Sequence, residues 1–123
     1  MSKTILYVED NEMNRKIVRD LLKRTSYTLV EAHDGEAGVA KALEVKPDLI
    51  LMDVQLPKMS GLDATRTLKA DPRTAHIPVI VITSFAMSGD REKASAAGAH
   101  NYLAKPYSPR ELLAMVREIL PES

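Results

Sequence analysis

The chain contains no cysteine, which excludes disulfides, thiolate metal sites and a cysteine nucleophile, and leaves no trace of redox compartment. It has no tryptophan, one phenylalanine and four tyrosines, too few rings for a platform on which nucleobases stack. Neither sign of charge is in excess, because 17 Lys and Arg face 17 Asp and Glu. A domain that lives on phosphate backbones carries a basic surplus, so nucleic acid is not an expected partner. No apolar run approaches the roughly 20 residues of a membrane span, and residues 1–20 hold no apolar signal core. Linkers, repeats and low-complexity stretches are also missing. These absences point to a soluble, cytoplasmic domain with no membrane partner. At 123 residues the chain is expected to form one domain over 1–123. Such a domain, about 14 Å in radius of gyration, buries about two thirds of its unfolded surface without staples.

Two kinds of segment alternate along the chain. Short β-branched or leucine-rich runs occur at 4–8, 28–32, 49–52, 79–83 and 101–104. Between them lie segments with helical spacing. Met13, Ile17, Val18, Leu21 and Leu22 are expected on one buried face, as are Leu112, Leu113, Val116, Ile119 and Leu120. The middle helices carry thinner stripes: Ala37, Ala40 and Leu43; Leu62, Thr65 and Leu68; Ala94 and Ala97. Met13, Met52, Met59 and Met115 read as core or gap filler. The runs 49–52 and 79–82 are apolar on both faces, which suits strands of a parallel sheet covered by helices. Fivefold strand–helix alternation predicts an α/β doubly wound domain. Right-handed crossovers favour a five-stranded parallel sheet of order 2-1-3-4-5, the flavodoxin-like arrangement.

In such sheets ligands sit outside the carboxyl ends of the strands, here beside strands 1 and 3. The residues just past those ends are Glu9, Asp10 and Asn11, then Asp53; Thr83 and Ser84 follow strand 4, and Lys105 with Pro106 follows strand 5. Two carboxylates about 4 Å apart repel by about 4 kcal/mol at an effective dielectric near 20, so such a cluster raises a pKa or holds a cation. All-oxygen donors suit Mg²⁺, Mn²⁺ or Ca²⁺. A hard cation, a lysine and a hydroxyl around one carboxylate make a place to stabilise a phosphoryl group, and the carboxylate itself can be the nucleophile. Each residue also has a plainer role. Asp10 or Asn11 can cap the first helix, Asp53 before Leu56-Pro57 can form a turn, and Lys105 can be a solvated lysine. The three histidines, His33, His76 and His100, are too scattered for an obvious metal site.

Four motifs, in order, resemble the receiver domain of bacterial two-component response regulators, the CheY-like family: Glu9-Asp10-Asn11, the run Asp53 to Gly61, the run Ile77 to Thr83, and Tyr102-Leu103-Ala104-Lys105-Pro106. The gaps fit too: 43 residues from Asp10 to Asp53, 30 on to Thr83 and 22 on to Lys105. The resemblance implies that Asp53 accepts a phosphoryl group from a histidine kinase. Glu9, Asp10, Asp53 and the backbone carbonyl of Gln55 would bind Mg²⁺. Thr83 would move toward the phosphoryl group, Lys105 would contact its oxygens, and Tyr102 would turn inward in the active state. Gln55 and Phe85 match positions that modulate dephosphorylation, and Ser84 replaces the small residue usual after the switch threonine. The family often has a cis peptide before the proline matching Pro106. Asn14, Gln55 and the run 85–92 are similar to DivK-like stand-alone receivers.

The implied partners are a sensor histidine kinase or a histidine phosphotransfer protein, and a downstream protein target. A homodimer through the helix 4–strand 5–helix 5 face, or through helix 1, belongs to the same expectation. Lys16, Arg19, Lys23 and Arg24 form a basic helix face for a kinase, or a solvated one. Tyr107, Arg110 and Arg117 are candidates for an output surface by family analogy. The helix around 89–97, with the thinnest apolar face, is the element expected to move. With no output domain expected, the chain acts through protein contacts or passes phosphate on as a phosphorelay shuttle. It is a signalling receiver rather than an enzyme on external substrates. A metal-dependent aspartyl phosphatase is the alternative of another class, but it usually has an acid two residues after its nucleophile, where this chain has Gln55. A flavodoxin-like cofactor module needs a glycine- and hydroxyl-rich phosphate loop where this chain has Glu9-Asp10-Asn11-Glu12.

Overall fold

The computed structural model describes residues 3–84 and 90–122. Phe85 and the start of the run 85–92 lie outside the described residues. Strands and helices alternate throughout: β1 (Thr4–Val8), α1 (Glu12–Leu22), β2 (Thr28–Ala32), α2 (Gly35–Val45), β3 (Leu49–Asp53), α3 (Gly61–Ala70), β4 (Val79–Thr83), α4 (Asp90–Ala96), β5 (Asn101–Ala104) and α5 (Pro109–Ile119). All strand pairs are parallel, and the sheet order is β2-β1-β3-β4-β5. This is the expected doubly wound α/β order.

Because side chains alternate across a strand, the three inner strands feed two cores. Ile5, Tyr7, Leu49, Leu51, Ile80 and Ile82 pack with Val18 and Leu22 of α1 and with Leu112 and Val116 of α5. Leu6, Val8, Ile50, Met52, Val79 and Val81 pack with Ala42 of α2, Ala64 and Leu68 of α3, and Ala94 of α4. Burial on both faces explains why these strands read as continuous apolar runs rather than as alternating ones. Asn11, Asp34, Ser60 and Ser108 cap the N-termini of α1, α2, α3 and α5, and Ser108 completes a capping box with Glu111. These caps lie where the strand-to-helix loops turn, so the ends of β1 and β3 are held firmly.

Two expectations need correction. Met13 and Ile17 are 65% and 50% exposed, not core. At about 100° per residue, they fall on the side of α1 opposite the stripe that is buried, Arg15, Val18 and Leu22. On α2, Ala40 is exposed and the buried stripe is Gly35, Gly38 and Ala42. Gly38 packs so tightly on β1 that a Cβ there would lie 2.8 Å from Val8 Cγ2. The remaining stripes agree: Thr65 and Leu68 are buried, as are Ala94 of α4 and Ala97 just past its end. Met52 is core, and Met59 and Met115 pack against the cores half-buried.

Candidate functional site

The ends of β1, β3, β4 and β5 deliver Glu9, Asp53, Thr83 and Lys105 to one edge of the sheet. Glu9 and Asp53 are 1% and 2% exposed, whereas Asp10 is open to solvent. Each of these three carboxylates offers an oxygen within 4.8 Å of the others, which makes them a candidate cation site among the described residues. The cap of α1 is Asn11, whose Oδ1 accepts from the Asn14 N–H at 3.0 Å. That leaves Asp10 free of the capping duty the sequence allowed it.

Lys105 bridges the two buried acids. Its Nζ lies 2.9 Å from Asp53 Oδ2 and 3.2 Å from Glu9 Oε1. Burial alone pushes the ammonium down, but the carboxylates outweigh it and hold it above the ordinary lysine value. The Lys105–Pro106 peptide is cis. Asp53 Oδ1 accepts the backbone N–H of Gln55 at 3.1 Å. The Gln55 side chain crosses to the end of β4, its Nε2 3.4 Å from Thr83 Oγ1 and its Oε1 3.4 Å from the N–H of exposed Ser84. Tyr102 stands half-buried on β5 with the Arg91 guanidinium 5.6 Å from its ring centroid, a cation–π distance.

Reading the sequence passed over three residues here. Arg15 is buried, and its guanidinium donates to the Glu9 carbonyl at 2.7 Å and to Glu12 at 2.7 Å, with Glu31 at 3.3 Å. It therefore ties the acidic loop to α1 and β2. Asn14, noticed only as a subgroup marker, donates to Glu9 Oε1 at 3.2 Å. Tyr7, lost inside an apolar run, donates to the same oxygen at 3.3 Å. Arg15 alone was detectable, because it shares a 3.6-period stripe with Val18 and Leu22. The three histidines are all exposed. The basic face of α1 is largely spoken for: Arg19 pairs with Glu31 and Glu12, and Lys16 and Lys23 with Asp20. Arg117 pairs with Glu122.

The donor set fits a small divalent cation. It is all oxygen, from carboxylates clustered at one point, two buried and one open to solvent for entry, with Lys105 balancing part of their charge. Among the described residues no helix is long and apolar enough to cross a membrane.

Similarity to known proteins agrees with this geometry. The polar-differentiation response regulator DivK of Brucella anthropi is 42% identical over 123 residues, covering the whole of both chains; DivK of Brucella ovis matches to the same extent. Among solved structures, the receiver domain of a sensor histidine kinase from Pseudomonas aeruginosa PAO1, with a magnesium ion coordinated in its active site cleft, is 36% identical at a TM-score of 0.87, covering 96% of this chain and 97% of that one. Chemotaxis protein CheY4 of Vibrio cholerae is 27% identical at a TM-score of 0.91, covering 98% and 100%. The family model for the response regulator receiver domain spans residues 5–117, and with full-length relatives of this kind the chain belongs to the response regulator receiver family of two-component signalling proteins.

Proposed function

We propose that this receiver works as a single-domain, cytoplasmic response regulator that takes a phosphoryl group from a phosphohistidine onto Asp53. The observation that carries the reading is the Lys105 ammonium shared between Asp53 and Glu9, with Asp10 completing an all-oxygen cluster. An Asp53 carboxylate oxygen attacks phosphorus, the P–N bond to the donor imidazole breaks, and an acyl phosphate forms. Little covalent chemistry falls to the protein, which positions and stabilises. Glu9, Asp10, Asp53 and the Gln55 carbonyl would hold Mg²⁺, which when bound neutralises charge on the phosphoryl oxygens. Lys105 is close enough to Asp53 to contact a phosphoryl oxygen there. Thr83 supplies a hydroxyl, which must leave the Gln55 amide to reach it. Gln55 and Phe85, by their family positions, modulate the rate of dephosphorylation, and Ser84 modulates access to the phosphoryl group.

Acquiring the phosphoryl group biases a two-state equilibrium. Moving a population from 1:99 to 99:1 takes about 5.5 kcal/mol of differential binding, drawn from the new contacts to Thr83 and Lys105. The moving parts are the short α4 and Tyr102, whose ring faces Arg91 of that helix. The phosphodonor docks over a cavity of about 650 Å³ lined by Ser84, Pro106, Ile17 of α1 and Lys105, the side chain that touches Asp53. Exposed Met13 and Ile17 extend that surface. The aspartyl phosphatase alternative loses ground, because the side chain two residues after Asp53 is the Gln55 carboxamide, which has no acidic proton to give a leaving group and contacts Thr83 and Ser84.

The test is intact mass after incubation with Mg²⁺ and acetyl phosphate or a phosphorylated histidine kinase, beside Asp53→Asn. Gain of one phosphoryl group by the native chain alone is expected. Equal gain by Asp53→Asn, or turnover of a generic phosphomonoester, overturns the assignment.

A further inference from the structure

Glu9 is held from four directions. Its Oε2 accepts the Asn11 N–H at 3.2 Å. Its Oε1 accepts from Lys105 at 3.2 Å, from Asn14 Nδ2 at 3.2 Å and from the Tyr7 hydroxyl at 3.3 Å. Lys105 and Asn14 belong to elements that approach a phosphodonor or a phosphoryl group. Tyr7 does not. It is 1% exposed in the middle strand β1, locked among Ile5, Leu51, Ile82 and Leu112 in the core. A phenylalanine would fill that core equally well, so packing does not account for the hydroxyl.

The hydroxyl's hydrogen-bond partner is the carboxylate itself. A carboxylate can only accept, so Tyr7 donates its proton to Glu9. A phenol buried in the core thus reaches a carboxylate of the cation cluster from the side away from solvent.

We infer that Tyr7 is a positioning residue: its hydroxyl fixes the Glu9 carboxylate from the core side and so sets the affinity of the Glu9–Asp10–Asp53 cluster for a divalent cation. The inference rests on the Mg²⁺ reading above. Carboxylate ligands are oriented by such outer hydrogen bonds, and losing one commonly costs 10–100-fold in metal affinity. The Tyr7 bond is long and shares its oxygen with two other donors, so the low end of that range, about tenfold, is expected.

The experiment is a calorimetric Mg²⁺ titration of the full chain and of Tyr7→Phe, with thermal unfolding recorded without Mg²⁺. Tyr7→Phe keeps the ring and removes only the hydroxyl. The expected result is Mg²⁺ binding about tenfold weaker in Tyr7→Phe, with unfolding temperatures without Mg²⁺ that stay close together. A folded Tyr7→Phe that binds Mg²⁺ like the native chain overturns the inference. Should Tyr7→Phe not fold, Tyr7→Leu, which also lacks the hydroxyl, takes its place, and native Mg²⁺ affinity in it overturns the inference equally. A native chain that binds no Mg²⁺ overturns the proposed function itself, and so is told apart from failure of the Tyr7 contact alone.

Discussion

Gly61 lies directly against the backbone of Asp53: a Cβ on Gly61 would stand 1.9 Å from the Asp53 carbonyl oxygen and 2.7 Å from its carbonyl carbon. The Gly61 N–H also donates to the Val54 carbonyl at 3.0 Å. The first turn of α3 is therefore folded back onto the strand end that presents Asp53, and only a glycine permits the approach. Gly61→Ala should push the end of β3 away from Lys105. Overpacking against rigid backbone costs about 1–3 kcal/mol, to be read as a lower urea midpoint. Phosphoryl acceptance at Asp53 should fall well beyond what the lost stability explains. A Gly61→Ala protein with native stability and native phosphorylation would mean that this contact relaxes freely.

Lys105 neutralises part of a cluster that is crowded with negative charge. Replacing it with methionine leaves Glu9 and Asp53 buried without their shared cation, a loss that costs several kcal/mol when a buried pair is broken from one side. Water that reaches the cluster beside exposed Asp10 relieves some of that, so about 1–3 kcal/mol is expected here. A divalent ion can then substitute. Lys105→Met should unfold at a lower temperature than the native chain without Mg²⁺, and Mg²⁺ should raise its unfolding temperature by more than it raises the native one, since a ligand stabilises in proportion to RT ln(1 + [L]/Kd). Equal Mg²⁺ shifts in both proteins would show that Lys105 and the cation do not compete for the same oxygens.

The strands were legible almost to the residue, because inner parallel strands must be apolar on both faces and the runs end where the loops turn polar. Order and site placement followed from topology. The helices were less legible. On α2 the sequence suggested Ala40, but glycines at 35 and 38 make the buried stripe, and a residue without a side chain carries no apolar signal. On α1 the sequence placed Met13 and Ile17 inside, whereas buried Arg15 occupies the stripe. An arginine is accepted there because Glu12, Glu31 and the Glu9 carbonyl meet its donors, and partners that come from a separate strand cannot be read from local spacing. Tyr7 illustrates the same limit: strand periodicity marks its ring as core and says nothing of where its hydroxyl points.

The clasp between α1 and β2 makes stability sensitive to acid. Glu31 accepts from Arg19 Nε at 2.8 Å and Arg19 Nη2 at 2.8 Å, with Arg15 Nε at 3.3 Å. The Arg19 hydrogen bonds outweigh partial burial and hold the Glu31 carboxyl below the usual glutamate range. A folded-state pKa that is depressed contributes stability above the unfolded value, and that contribution is lost as pH falls through the folded value. Glu31→Gln should be less stable than the native chain by roughly 1–2 kcal/mol at neutral pH. The gap should persist down to the ordinary glutamate pKa of about 4.3 and close below it. Urea midpoints of the two proteins across that window would check the sign. A gap that is constant with pH would trace the loss to packing rather than to the carboxylate.

Met13 and Ile17 bear on how the donor is recognised. Both stand exposed on α1, and Ile17 lines a cavity together with Ser84 and Lys105. Neither contributes to the cores, so Ile17→Glu should leave unfolding within about 0.5 kcal/mol of the native chain, as surface substitutions usually do. Small-molecule phosphodonors enter from solvent and need no docking surface, so the rate of phosphorylation by acetyl phosphate should be unchanged. Transfer from a phosphorylated histidine kinase domain is different, because under the proposed docking it buries this patch. A buried charge at the centre of an interface commonly costs 2 kcal/mol or more, so transfer at sub-saturating donor should slow by roughly 30-fold. If transfer from the kinase is as fast in Ile17→Glu as in the native chain, the donor approaches Asp53 over another face. If both donors are slowed alike, the substitution has disturbed the Asp53 site itself, and α1 is not simply a docking surface.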